Sequence, residues 1–291
     1  MIIMNNEAPT LFRYAGGKYY AIKLLRPFWE AVKHDEYREP FIGGGAVFFA
    51  KPKVKYNWLN DIHDDLITTY KVIANSESRQ KLLKRIEKEV ATKERHTEIK
   101  NFKPTNELDT AFRYFYLNRT SFSGKMKNPS WGYRPKRSLP PERWIERIIP
   151  CGEKLEDTKI TCLDFQEVIE SKKVGKSAFM FLDPPYFKAK QESHYAKFFR
   201  SEDHKRLANT LKDTEFKFCL TYDDCLGIRD LYSWAEIYPV EFFYRLDNSQ
   251  QRSNKRMIGR EVVITNYKLP EKQQKTMKFS LRLVNHYDRR N

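Results

Sequence analysis

SAFMFLDPPYF, residues 177–187, runs from an almost unbroken apolar segment straight into two prolines. A strand with one wet face alternates apolar and polar positions. A run such as AFMFL instead reads as a strand buried on both faces, the middle of a sheet covered by helices. Proline donates no backbone hydrogen bond, so Asp183, Pro184, Pro185 and Tyr186 belong where that strand gives out, not in its ladder or in a helix. Ligands of open α/β sheets gather at the carboxyl ends of the strands. The tetrapeptide is therefore expected at the edge where a site belongs.

The flanking sequence supplies the rest of such a sheet. Residues 11–32, LFRYAGGKYYAIKLLRPFWEAV, pass from a glycine pair into Ile22, Leu25, Phe28, Trp29 and Val32 at helical spacing. YREPFIGGGAVFFA, 37–50, is a short extended piece followed by three glycines. YNWLNDIHDDLITTYKVIA, 56–74, is a strand ending at Asn60 and Asp61, then a helix with Leu66, Ile67, Tyr70 and Ile73 on its apolar side. Strand, turn and helix in repetition imply parallel strands in a layered α/β sheet. The rhythm stops at 76–95, which reads as one amphipathic helix with Leu82, Leu83, Ile86 and Val90 on a stripe. A second helix is expected around 107–118. The strand pattern resumes in TKITCLDF (158–165), continues through FKFCLTYDD (216–224) and AEIYPVEFFYRL (235–246), and ends in EVVITNY (261–267). We expect a discontinuous catalytic domain (1–74 and 156–270), a mainly helical insert (75–155) and a basic tail (271–291), in which KFSLRLV would suit a terminal strand.

Charge points to a class of partner. Lysine and arginine number 54 against 38 acidic residues, a formal net charge of +16. Residues 119–147 hold eight basic and two acidic side chains, interleaved with Phe122, Trp131, Tyr133 and Trp144. A second basic segment, RLDNSQQRSNKR, spans 245–256. Basic side chains among flat rings suit a polyanion whose bases are contacted, and each stretch taken alone also fits a solvated basic surface. Cys151, Cys162, Cys219 and Cys225 show no Cys-x-x-Cys pairing and no histidines that complete a metal site, so they read as reduced structural thiols. MIIMNNEAPT lacks the layout of a signal peptide, and no apolar run nears the roughly 20 residues of a membrane span. We expect a soluble, intracellular protein with no membrane partner.

Glycines after a strand, as in FIGGG (41–45), let the backbone approach a ligand, although a glycine cluster is also simply a tight turn. Asp61 follows Gly43 by 18 residues, where an α/β nucleoside site places the carboxylate that accepts from ribose hydroxyls. Asp164-Phe165 ends the next strand. It fits a carboxylate and ring for a purine, and equally a helix N-cap with a core phenylalanine. RYAGGK (13–18) lacks the P-loop spacing, and helix-terminal amides with Tyr14 would hold a carboxylate or an adenine ring there unless the glycines only cap a helix.

DPPY then has a chemical reading. An exocyclic amine such as that of adenine delocalises its lone pair into the ring and attacks a methyl group poorly until drawn toward tetrahedral geometry. The Asp183 carboxylate and the Pro184 carbonyl, held by the double proline, would be two fixed acceptors for that amine, with Tyr186 to stack on the base.

RYAGGK, EPFIGGG, LNDIHDDLI, the strand-end LDF and FLDPPYF, in this order, resemble the class alpha, Dam-type adenine-N6 DNA methyltransferases. The resemblance implies a Rossmann-like methyltransferase mixed sheet with helices on both faces, a target-recognition insert, S-adenosylmethionine as cofactor and double-stranded DNA as partner. It implies cofactor roles for Tyr14, Lys18, Phe41, Gly43, Asp61, Asp164, Phe165 and Asp183, and catalytic roles for Asp183, Pro184, Pro185 and Tyr186. The segment 188–199, with Tyr195, would close over a flipped base. LNRTSFSG (117–124) resembles the family's major-groove loop, whereas NPSWGYRPKR (128–137) replaces the Phe-Asn-x-Pro-Phe-Gly element of GATC-specific members. Arg119, Ser121, Lys125, Arg134, Arg137, Arg252 and Lys255 are the expected DNA contacts. No metal is implied. A restriction endonuclease partner at the system level and a cytoplasmic, nucleoid-associated location fit the same picture. The alternatives are cytosine-N4 methylation, whose enzymes generally carry serine at the Asp183 position, and a DNA-binding protein that keeps the fold without turnover. Glutamine-directed enzymes tend to carry asparagine there.

Overall fold

The strand and helix alternation is present from the first glycine motif onward. The computed structural model describes residues 8–14, 16–187, 199–244, 257–271 and 273–274. A 3-10 turn, Lys18–Ala21, runs into α1 (Ile22–Glu30), followed by β1 (Glu36–Glu39), α2 (Ala46–Ala50), β2 (Tyr56–Asn60) and α3 (Asp64–Ala74). The insert holds α4 (Ser76–Ile86), α5 (Lys93–Asn101), α6 (Glu107–Thr120) and α7 (Ile145–Leu155). Then come β3 (Lys159–Thr161), α8 (Phe165–Glu170), β4 (Ala178–Leu182), α9 (Ser201–Asp213), β5 (Lys217–Asp223), α10 (Leu226–Leu231), β6 (Glu236–Tyr244) and β7 (Met257–Thr265).

All seven expected strands join one sheet in the order β3-β2-β1-β4-β5-β7-β6. The first five are mutually parallel, and β7 runs antiparallel between β5 and β6. The sheet is mixed, and its two faces can be read off β4. Phe179 and Phe181 belong to the buried cluster shared with α1 to α7, while Ala178, Met180 and Leu182 belong to the cluster shared with α8, α9 and α10. Helices therefore cover both faces, and β4 has no polar position because neither of its sides meets water.

Arg38, in the middle of β1, is fully buried yet saturated. Its guanidinium donates to Glu36 and to the carbonyls of Val168, Ser171 and Lys172, capping the end of α8, and it stacks between the rings of Trp58 and Phe216. Fixing α8 in this way fixes the turn before it, where Asp164 sits.

The insert departs from expectation in two places. Residues 76–95 are not one helix. The chain leaves helical geometry after Ile86, because the Tyr116 hydroxyl takes the Val90 carbonyl at 2.6 Å and the Thr92 side chain caps a new helix through the Arg95 amide. Val90, expected on the apolar stripe, is 57% exposed. Trp144, counted among rings available to a polyanion, is completely buried against Phe115 and Tyr116, with its indole N–H on the Leu139 carbonyl. Leu82, Ile99, Phe112 and Trp144 share one cluster with Leu25, Tyr37 and Phe179, so the insert is built onto the sheet face rather than beside it. Among the described residues no helix is long and apolar enough to cross a membrane, and no group of three or more potential metal ligands occurs.

Candidate active site

Because β3, β2, β1 and β4 are neighbours and parallel, their carboxyl ends form one row. Asp164 follows β3, Asp61 follows β2, the glycine loop follows β1 and Asp183 follows β4. At a strand spacing of about 4.8 Å the row extends roughly 14 Å.

The glycine loop is held by its neighbours on every side. The Ile42 amide donates to the Asn60 carbonyl (2.8 Å), the Tyr70 hydroxyl to the Gly43 carbonyl (2.8 Å), and the Gly43 amide to Asp61 Oδ2 (2.9 Å). Gly43 has φ +45°, a left-handed conformation that favours glycine. Gly44 is constrained by contact instead, since a Cβ there would lie 2.8 Å from the Tyr14 Cβ. Tyr14 thus lies against the loop. Asp61 Oδ1 accepts the His63 amide (3.0 Å). Burial raises the Asp61 pKa, against the amides of Gly43 and His63 that favour the ionised form.

Asn60 was not singled out from sequence. Its side chain donates to the Pro40 and Leu163 carbonyls and accepts from Thr161 Oγ1 and the Leu163 amide, fastening three strand ends together.

Asp164-Phe165 takes the capping arrangement, with Phe165 buried. Asp164 is the N-cap of α8, in a capping box with Glu167, and it pairs with Arg206 at 2.6 and 2.9 Å. Burial works to raise its pKa, but the Arg206 guanidinium prevails and holds it below the ordinary value. The Phe165 ring packs against Phe41 (5.4 Å, 30°), and Phe199 closes on both, giving an aromatic wall beside Asp164.

The DPPY bend is stapled at three points. Thr221 Oγ1 donates to Asp183 Oδ1 (2.6 Å), the Tyr186 hydroxyl donates to Glu261 Oε2 (2.6 Å), and the Phe187 amide donates to Asp223 Oδ1 (2.9 Å). The β4–β5 register, Leu182 opposite Leu220, brings Thr221 to Asp183. Lys18, assigned to the cofactor by resemblance, has its ammonium on the Asp183 carboxylate, 2.8 Å from Oδ1 and 2.9 Å from Oδ2, and 4.7 Å from the centre of the Tyr186 ring. Side-chain exposure is 7% for Lys18 and 19% for Asp183, so the carboxylate is sunk but reachable. Pro184 is buried, and Pro185 and Tyr186 are half-buried.

Two of the expected DNA contacts are corrected. The Arg119 side chain is buried, and burial, with Arg147 and Arg13 nearby, depresses its pKa to about 10. Ser121 is fully buried where it bridges to Trp131. Both lie inside the loop because α6 carries its last turn into the core. Lys125 and Arg134 are half-buried and Arg137 is exposed, which keeps these three on the surface. Arg252, Lys255, Tyr195 and the KFSLRLV segment lie outside the described residues. The loop that follows α6 is anchored at its base. Asn118 accepts the Arg13 amide and donates to the carbonyls of Arg13 and Gly124, and a Cβ on Gly124 would come 2.3 Å from the Arg13 carbonyl oxygen.

Comparison with known proteins agrees with this arrangement. Residues 14–246 match the family model described as D12 class N6 adenine-specific DNA methyltransferase. The Type II methyltransferase M.CviBI of Paramecium bursaria Chlorella virus NC1A is 29% identical over 265 residues, covering 88% of this chain and 99% of that protein. The DNA N-6-adenine-methyltransferase of Escherichia phage P1 is 28% identical over 77% of this chain, which corresponds to 31% of its own length. The DNA adenine methylase of Haemophilus influenzae is 23% identical over 79% of this chain and 84% of its own. The matched region takes in the glycine loop, the insert and the DPPY bend, and its adenine specificity sets aside the cytosine-N4 alternative. With its strand-end row and its motifs in that order, the chain belongs to the D12 class N6 adenine-specific DNA methyltransferase family.

Proposed function

We propose that the protein transfers the methyl group of S-adenosylmethionine to N6 of an adenine turned out of double-stranded DNA at a specific sequence. The observation that carries this reading is the row Asp164, Asp61, glycine loop, Asp183 along four adjacent strand ends. Its donor set fits the cofactor in order: a ring wall of Phe41 and Phe165 beside Asp164 for adenine, Asp61 for ribose hydroxyls, and the loop under Tyr14 for the amino-acid part. When bound, S-adenosylmethionine supplies an electrophilic methyl group on a sulfonium.

The remaining chemistry belongs to the chain. The Lys18 ammonium and the Thr221 hydroxyl hold the Asp183 carboxylate in place, where it acts as an acceptor. An amine donating to Asp183 and to the Pro184 carbonyl is drawn toward tetrahedral geometry, and the carboxylate stabilises positive charge as it develops on N6. Extrusion of the base costs a few kcal/mol, offset in part by stacking on Tyr186. Lys125, Arg134 and Arg137, with Arg252 and Lys255, would meet the phosphates and bases of the duplex. Three similar proteins, M.CviBI among them, carry the name Type II methyltransferase, which supports a role opposite a restriction endonuclease, and the substrate supports a cytoplasmic location on the nucleoid.

Incubating unmethylated genomic DNA with protein and S-adenosylmethionine, then mapping modified bases by single-molecule sequencing, tests the reading. Methyladenine in one repeated motif is the expected result, and unmodified DNA would overturn it. Asp61→Ala removes an acceptor from two loop amides as well as from the ribose. It should weaken cofactor binding by about 10- to 100-fold in calorimetry, and an unchanged dissociation constant would remove Asp61 from the site. Thr221→Val keeps shape and loses the hydrogen bond to Asp183. Single-turnover transfer should slow about tenfold with cofactor affinity unchanged.

A further inference from the structure

Tyr186 is held at its far end by a residue that no sequence motif pointed to. Glu261 lies on β7, paired with Asp223 of β5, and is only 2% exposed. Its neighbours on the strand, Val262, Val263 and Ile264, are apolar and fully buried. A carboxylate taken out of water is costly unless hydrogen-bonded, so a side chain that only filled this space would better be apolar. Glu261 instead accepts the Tyr186 hydroxyl at 2.6 Å. The aromatic side of the same residue is limited by Tyr222, its ring centre 6.0 Å away at 40°, and by the Lys18 ammonium.

We propose that Glu261 is a positioning residue of the methyl-transfer reaction, fixing the plane of the Tyr186 ring on which the extruded adenine stacks. This inference rests on the reading of Tyr186 given above. The terminal torsion of a tyrosine is broad, so an untethered ring would be immobilised only when the base arrives, at a cost in binding. A hydroxyl tied to a buried carboxylate orders the ring beforehand. The β5–β7 register, Asp223 opposite Glu261, is what brings this side chain to the carboxyl end of β5 beside the DPPY bend.

The test uses the full-length protein and a duplex holding 2-aminopurine at the target adenine of its mapped motif, with S-adenosylhomocysteine present. Fluorescence reports departure of the base from the DNA stack, and single-turnover methylation of the unmodified duplex reports the chemistry. Tyr186→Phe keeps the ring and loses the tether, and Glu261→Ala removes the acceptor. Each should lower the single-turnover rate about tenfold and shift the 2-aminopurine signal, with cofactor affinity unchanged, and the double variant should be no worse than either single one. Glu261→Gln, which still accepts the hydroxyl, should recover most of the rate. If Glu261→Ala fails to fold, Tyr186→Phe and Glu261→Gln still decide the matter. A normal wild-type signal with Tyr186→Phe indistinguishable from wild type, or additive losses in the double variant, would overturn this inference alone. No fluorescence change with the wild-type protein would overturn the stacking role of Tyr186 and this inference with it.

Discussion

Replacing Asp183 with alanine should slow methyl transfer by a factor on the order of 10³ while duplex binding survives. On the reading proposed above, the worth of this carboxylate lies in the transition state, when charge appears on the amine it faces. Removing it deletes stabilisation from the step and leaves the ground-state contacts of the recognition loop in place, so the loss belongs in turnover and not in DNA affinity. Lys18 complicates the alanine variant. Its ammonium is 7% exposed, and a buried cation deprived of its partner costs about 3–5 kcal/mol of stability. Asp183→Asn paired with Lys18→Met removes both charges together and separates lost chemistry from lost folding. Single-turnover methylation at saturating cofactor measures the effect, and turnover within tenfold of wild type would remove Asp183 from the mechanism.

Glu39 should contribute a component of stability that falls as pH rises from about 5 to 8, and Glu39→Gln should abolish that component. Glu39 ends β1 directly behind the glycine loop, 2% exposed, and accepts the hydroxyl of Tyr37. Burial, with the Asp183 carboxylate adding to it, pushes its pKa from 4.5 to about 8, against the pull of the Tyr37 hydroxyl, the Phe48 amide and Lys51. Below the unfolded pKa both states hold the proton, and the native state is at full advantage. Between the two values the unfolded chain ionises first, so folding takes up a proton and stability drops by up to about 1.4 kcal/mol per pH unit. Above about 8 the penalty is complete. Glutamine stays neutral throughout, so the difference in unfolding free energy between variant and wild type should grow in favour of the variant from pH 5 to pH 8. Urea denaturation at three pH values in that range checks this, and a pH-independent difference would mean that Glu39 is ionised in the native state.

What the sequence made legible was whatever carries a local signature. Seven extended segments became seven strands, and AFMFL became the central one, its apolar run bounded by the two prolines as a strand buried on both faces would be. The glycine loop, Asp61 and DPPY came out at strand ends because glycine and proline constrain their own backbones. What stayed hidden depended on register. Thr221 reaches Asp183 only because β5 pairs with β4 at Leu182 and Leu220, and Glu261 reaches Tyr186 only through an antiparallel strand some 75 positions downstream. Nothing in the residues around Glu261 announces that partner. Arg119, Ser121 and Trp144 misled for the opposite reason: their types suit DNA, and only packing shows that α6 and α7 turn them inward. The one helix expected over 76–95 failed because a tertiary hydrogen bond from Tyr116 takes the backbone at Val90, where the hydrophobic period alone would continue it.

The Asn118 anchor bears on how target specificity can be exchanged between relatives. The loop after α6 is not a detachable cassette, since its base is hydrogen-bonded to the Arg13 backbone, the Arg13 guanidinium donates to the Arg119 and Ser121 carbonyls, and the next residue, Tyr14, is the floor under Gly43 and Gly44. A loop transplanted as residues 118–132 alone would meet a foreign residue 13 in place of the Arg13 guanidinium, and a mismatch there would be felt in the glycine loop against which Tyr14 lies. Grafts that carry residues 12–14 along with the loop are the ones built to keep both halves of the enzyme working.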